Sequence, residues 1–401
     1  MKNLSVLVVL TIISLLGAGC EESTPSTPNP STPNIEMSLT SDFSTNLFMT
    51  IISQEPEDKN VIISPSSVSS VIQMILQGAD GNTADELANA LANGESKDDI
   101  LQSAKEFNTW LNSRNGHAVI ELSNAAFYDE KRLNLLPQYE QDLVSNFNAT
   151  ILSQDFSNEE QSLNAINGWV SDKTKTRIPT ILDNIASDEV MFLVNALYLK
   201  ADWKDGFVEQ STRDRDFTLQ SSEVVQTPTL FADRTFSTYT DNELVAVELP
   251  YKGEEISMFL IKPQSGDVNE LIANFDYDTF KAVKEGLAQK RLMFTMPKFT
   301  VEYKNETIKD ALRVLGIEDM FTSGADLSKM AEQNNVAISR VVHKTFMTVD
   351  ERGTEGAAVT AAGAVLTSLP PQVDFNSPYI FVLADNKADN ILFIGRISDP
   401  R

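Results

Sequence analysis

A chain of 401 residues with 57 acidic against 32 basic side chains carries a formal charge of −25. That balance excludes nucleic acid and heparin-type polyanions as partners, since both need clustered Lys and Arg, and no basic run exceeds Lys290–Arg291. Length alone would apportion the chain to two or three domains, because single cores stop growing near ~250–300 residues.

The amino end reads as an address. Lys2 precedes LSVLVVLTIISLLGAG, shorter than the ~20 apolar residues that span a bilayer and ending in small residues, which predicts a signal peptide over residues 1–19. Cys20 is the only cysteine, so no disulfide forms within the chain. Its place after LLGAG resembles a bacterial lipoprotein box, although Leu16 stands one position early and Gly17 fills its place; the resemblance implies lipidation at Cys20. EESTPSTPNPSTPN then has almost nothing to bury, so residues 20–36 should form a semi-rigid tether reaching ~45 Å at about 3.1 Å per residue. Glu21 and Glu22 resemble acidic export signals. The expected location is the cell envelope, at the outer membrane or cell surface, with release to the outside as the alternative.

Beyond the tether the pattern predicts a mixed fold. Ser64 and Pro65 form a cap and first-turn pair, after which Val68, Val71, Ile72, Ile75 and Leu76 share one helical face and Gly78 offers a stop. Thr83 followed by Glu86 has capping-box spacing for ADELANAL. Ile166, Trp169 and Val170 fall at helical spacing. Val245, Val247 and Leu249, then Ile256, Met258 and Leu260, alternate as a strand pair around a polar turn. DNKADN from Asp385 has the composition of a calcium loop, but Lys387 occupies a needed oxygen position and no downstream Glu completes it, so a hairpin turn is expected. Near the carboxyl end, Thr354, Gly356, Ala358, Thr360, Ala362 and Ala364 are small at every second position. Ala and Gly are poor strand residues, so this segment reads as an exposed loop able to become a strand. Thr354 is placed at the edge of that loop.

Catalytic signatures are missing. The chain has two histidines, His117 and His343, and contains no GxSxG, HExxH, CxxC or GxxxxGK[ST], so no enzyme activity, cofactor or metal is expected.

VDERGTEGAAVTAAGAVLTSLPPQVDFNSPY resembles the hinge and reactive-centre loop of the serpin family. NVIISPSSVSSVIQMILQGADGNTADEL resembles its early Asn-x-x-x-Ser-Pro helix, and SPYIFVLADNKADNILFIGRISDP its closing strands with Phe-x-Gly-Arg. INGWVSDKTKTRIPTIL, MFLVNALYLKADWKDGF, MPKFTVEYKNETIKDALRVLGIEDMF and AISRVVHKTFMTV follow in the family's order, so the similarity covers about Asp42 to Pro400. It implies an α+β serpin fold over residues 37–401: one domain with a large mixed central sheet, further sheets, about nine helices and an exposed loop near 351–371.

The same resemblance implies the sites and partners. The inhibitory bond would be Thr367–Ser368, with Val365 and Leu366 as alternative baits; Glu351 lies sixteen residues before Thr367. The hinge would comprise Glu351, Gly353, Thr354, Glu355, Gly356, Ala357 and Ala358, with Gly356 where the family commonly has Ala. His343 would hydrogen-bond across the opening sheet with Ser64, Ser67 and Asn195, and Trp203 would stand where the loop first inserts. A plainer role as a buried core histidine or a large core aromatic is compatible with either position. No Lys or Arg lies between Gly353 and Pro371, so elastase-like and subtilisin-like serine proteases are the expected partners, with chymotrypsin-like or papain-like ones if the register slips. A monomer is expected. The alternative is a non-inhibitory serpin acting as a binding protein.

Overall fold

The computed structural model describes residues 37–113, 118–305, 308–333, 335–354, 370–388 and 390–401. Cys20, the tether, His117, Glu355, Gly356, Ala357, Ala358, Val365, Leu366, Thr367 and Ser368 lie outside the described residues. After a 3-10 turn at Met37–Thr40 come α1 (Ser41–Ser53), β1 (Val61–Ile63), α2 (Pro65–Gly78), α3 (Gly81–Leu91), α4 (Lys97–Ser113), β2 (Ala118–Asp129), α5 (Pro137–Phe147), β3 (Thr150–Gln154), α6 (Glu159–Lys173) and β4 (Met191–Asp202). The second half runs β5 (Arg213–Thr218), β6 (Val224–Thr240), β7 (Leu244–Pro250), β8 (Ile256–Pro263), α7 (Val268–Ala273), α8 (Tyr277–Glu285), β9 (Ala288–Pro297), β10 (Phe299–Asn305), α9 (Ile308–Val314), β11 (His343–Val349), β12 (Gly353–Thr354), β13 (Gln372–Asp374), β14 (Tyr379–Asp385) and β15 (Ile391–Ile397). Residues 35–401 form one compact unit.

Two sheets carry the fold. One has the order β10-β11-β12-β4-β2-β3, antiparallel throughout except for β2 with β3. The other runs β1-β15-β14-β8-β7-β6-β9-β13, with β5 joined to β6. In α2 every residue but Gln77 is buried, and it packs on both β4 and β15, so this helix sits in the core between the sheets. Burial on all sides requires an apolar surface, and the serines of its first two turns fit only because each finds a partner.

Local signals largely hold. Ser64 caps α2 by accepting the Ser67 amide, with Pro65 in the first turn; β7 and β8 pair as expected; and Asp385 closes the β14–β15 turn by accepting the amides of Lys387, Ala388 and Asn390. The capping box at Thr83 does not form. α3 starts three residues earlier than a Thr83 cap implies, capped by Asp80, while the Thr83 hydroxyl donates to Asp319 and Glu86 accepts the Glu318 and Asp319 amides. A tertiary carboxylate and a better local cap override the spacing.

Candidate functional site

The six-stranded sheet has an unusual centre. β11 runs up to Val349 and the chain reverses within four residues: the Asp350 carboxylate accepts the Arg352 and Gly353 amides, and the Asp350 amide donates to the Gly353 carbonyl. That hairpin lays β12 between β11 and β4, with Thr354 opposite Val349 on one side and Ala201 on the other. Gly353 sits at φ +148°, and a Cβ there would run into the Ala201 carbonyl oxygen and lie 2.9 Å from the Asp202 Cα, so only glycine fits.

Thr354 is therefore not at the edge of an exposed loop. Its side chain is 3% exposed, and its Oγ1 shares a 2.7 Å hydrogen bond with the Tyr251 hydroxyl. Glu351 and Gly353, expected in the same loop, are buried as well. The physical reason is the strand pair on either side of β12: once Asp350 closes the turn, the next two residues meet open backbone groups on both neighbours.

Trp203 clamps this hairpin. It is 1% exposed; its indole Nε1 donates to the Asp350 carbonyl at 2.9 Å and its amide to the Arg352 carbonyl at 2.8 Å. Its ring stacks on Tyr251 with centroids 4.4 Å apart, and Phe207 meets it edge-on. Phe207 in turn donates its amide to the Glu351 carbonyl. The Glu351 carboxylate takes a 2.9 Å ion pair from Lys298 and a 2.8 Å hydrogen bond from Thr212. Burial pushes that carboxyl up, but the bonds from Lys298 and Thr212 outweigh it and hold the group below its usual range.

Below Thr354 the seam between β4 and β11 holds a small cavity of about 20 Å³, lined by Leu197, Leu199, Phe346 and Thr348 and covered by Arg177 and Ile178 after α6. At its foot, Glu189, just before β4, and Arg340, just before β11, form a 2.8 Å ion pair, with Ser339 donating to the same carboxylate. The two ends of the seam are thus fastened differently: a hairpin wedge above, an ion pair below.

Midway lies the polar layer at the start of α2. The His343 Nε2 accepts the Ser64 amide at 3.0 Å, so the neutral ring carries its proton on Nδ1, and Ser64 Oγ donates to Ser67 Oγ. Ser64, Ser67 and His343 thus come together. Asn195 does not join them: its Nδ2 donates to Asn124 Oδ1 at 2.8 Å, which also accepts from Ser70, and its own buried Oδ1 has no partner among the described residues. Asn124 was missed by sequence reasoning; it faces Asn195 directly in the β2–β4 register, a pairing visible only once the strands are aligned.

Burial lowers the His343 pKa to about 4 from 6.5. The folded protein keeps the ring neutral while the unfolded chain binds a proton, so stability falls as pH drops below 6.5 and goes on falling to about 4. Between pH 7 and pH 5 this one group should remove about 2 kcal/mol. Urea unfolding at both pH values for wild type and His343→Gln measures it: the variant should lose that part of the slope, and equal slopes would acquit His343.

The hairpin wedge between β4 and β11 and the buried polar layer at the start of α2 are the features around which the site is organised. Residues 38–400 match the family model described as Serpin (serine protease inhibitor), and the chain belongs to the serpin family. It is similar to leukocyte elastase inhibitor of Sus scrofa, 33% identical over 372 residues covering 89% of this chain and 97% of that protein. The corresponding Homo sapiens protein is 31% identical over 373 residues, with the same coverage. An uncharacterized serpin-like protein of Methanosarcina acetivorans is 30% identical over 351 residues, 86% of this chain and 82% of that one. Among solved structures, the thermophilic serpin tengpin in its native state superposes with a TM-score of 0.82 at 26% identity, covering 90% and 94%. Human thyroxine-binding globulin gives 0.84 at 24% identity, covering 91% and 98%, a likeness of fold.

Proposed function

We propose that the protein is an inhibitory serpin that traps proteases as acyl-enzymes. The observation that carries this is the buried Gly353–Thr354 strand, placed between β4 and β11 and continuous with a run that is small at alternate positions. A target protease attacks the Thr367 carbonyl, the Thr367–Ser368 bond breaks, and the acylated segment adds to the sheet residue by residue below Thr354, strand addition of the kind serpins are known for. Thirteen residues, 355–367, remain to enter, a travel of ~43 Å at about 3.3 Å each. The protease is distorted before water deacylates it. Similarity to leukocyte elastase inhibitors supports a protease partner, and the neutral bait favours elastase-like and subtilisin-like enzymes.

Incubation with a protease panel tests this. Elastase-like and subtilisin-like enzymes should give denaturant-resistant complexes, with a released peptide beginning at Ser368. Peptides beginning at Leu366 or Thr367 move the bond, and complete cleavage without complex favours the binding-protein alternative, a role that thyroxine-binding globulin illustrates on the same fold. We place the mature protein on the cell envelope, attached through Cys20; Cys20→Ala should then abolish incorporation of labelled fatty acid, and undiminished label would exclude that anchor.

A further inference from the structure

On the far side of Trp203 from the hinge lies a cavity of about 390 Å³ between β6, β7, α8 and the β14–β15 turn, lined by Trp203, Arg234, Phe236, Glu248, Lys284 and Asn386. It plays no part in the proposed protease reaction. Its charges are unevenly satisfied. Lys204 is paired with Glu254 at 2.7 Å, and the Glu248 carboxylate accepts from Ser257. Arg234 has no such partner. Its guanidinium lies 5.0 Å and 4.9 Å from the ring centroids of Phe207 and Phe236, gives one hydrogen bond to the Gly206 carbonyl, and has no carboxylate in ion-pair range among the described residues.

A guanidinium offers five donors in a planar fork, and this one, half-buried between aromatic rings with a single hydrogen bond, keeps donors for an anion that enters the cavity. Burial holds the Arg234 pKa below its usual value, the mark of an incompletely compensated cation, with Asp205 pulling the other way. Lys284, on the same wall, is already engaged: its ammonium reaches the Asp385 carbonyl at 3.3 Å and lies over Phe259 and Phe280. Asn386 closes the wall beside it, donating through Nδ2 to the Glu254 carbonyl and to Ser257.

The geometry points to a binding site for a small organic anion, a carboxylate or phosphate forked onto Arg234, whose ring or chain fills the cavity beside it. The shared requirement is a planar or tetrahedral oxyanion on a body small enough for the cavity, since bidentate guanidinium recognition serves both groups. Nothing in this site depends on the reactive loop, so it stands or falls apart from protease trapping.

Calorimetric titration of the intact protein decides the matter, with 4-hydroxybenzoate and phenyl phosphate as probes and 4-hydroxybenzyl alcohol as the uncharged control. At least one anion should bind with a Kd of roughly 1 mM or tighter and the alcohol at least tenfold more weakly; which anion binds identifies the group. Arg234→Met should weaken the anion at least tenfold. Should that variant fail to fold, Gln289→Trp, made at an exposed residue on the cavity wall, should block binding without touching the core. Heat of binding equal for anion and alcohol, affinity unchanged in a folded Arg234→Met or in Gln289→Trp, or no binding of either anion up to about 10 mM would each overturn the assignment.

Discussion

Cutting the intact protein anywhere between Gly363 and Ser368 should raise its thermal midpoint by something on the order of tens of degrees. The sheet already parts around β12, so the freed segment enters between two strands whose edges it can satisfy along its whole length. Small residues at alternate positions allow this without overpacking. Most nicked proteins lose stability, because a cut frees chain entropy and adds no contacts. Calorimetry on intact and clipped protein separates the two behaviours, and a midpoint that stays level or falls contradicts the insertion mechanism.

Thr354→Arg should destabilise the intact protein by roughly 3–5 kcal/mol and turn it into a substrate that releases active protease. The side chain it replaces is buried and bonded to Tyr251, so the guanidinium would be desolvated without an anion and the hinge would be expelled from the sheet before any protease arrives. Thr354→Val separates shape from hydrogen bonding. It keeps the volume, leaves the buried Tyr251 hydroxyl unpaired at a cost of roughly 1–3 kcal/mol, and should still trap protease. Denaturant midpoints and inhibition stoichiometries of both variants give the comparison. An Arg variant as stable as wild type would mean that Thr354 does not sit in the sheet of the native protein.

What the sequence made legible follows the range of the forces involved. The Ser64–Pro65 start of α2, the pairing of β7 with β8 and the Asp385 turn are each settled within a few residues, and each was visible, whereas the alternation read in β7 and β8 does not hold, since both strands are buried on both faces. The buried hinge was not. Its position depends on Trp203, whose indole reaches Asp350 across 147 positions, and on the Ala201 carbonyl that only a glycine at 353 can approach. Small size at alternate positions announced a segment able to join a sheet; it carried no information on how many residues had already done so. Thr83 failed for the same reason, since its partner Asp319 lies 236 positions away. Asn195 was matched to the right neighbourhood but the wrong partner, because the amide it meets is fixed by the β2–β4 register.

The Asp350–Gly353 hairpin changes the kind of kinetic problem that loop insertion poses. Adding a strand to a sheet is slow chiefly at its first pairing, where chain ends must be brought together before any bond compensates for the lost freedom. Here that nucleus is built into the native fold, so the proposed insertion would be elongation from a closed first pair, with residues 355 onward still to enter. Early elongation should answer to side-chain size at Gly356 and Ala358, and the final steps to the release of Arg340 from Glu189 at the foot of the seam. Under the proposed mechanism, inhibitory speed would then depend on residues at the foot of the sheet as well as on those of the loop.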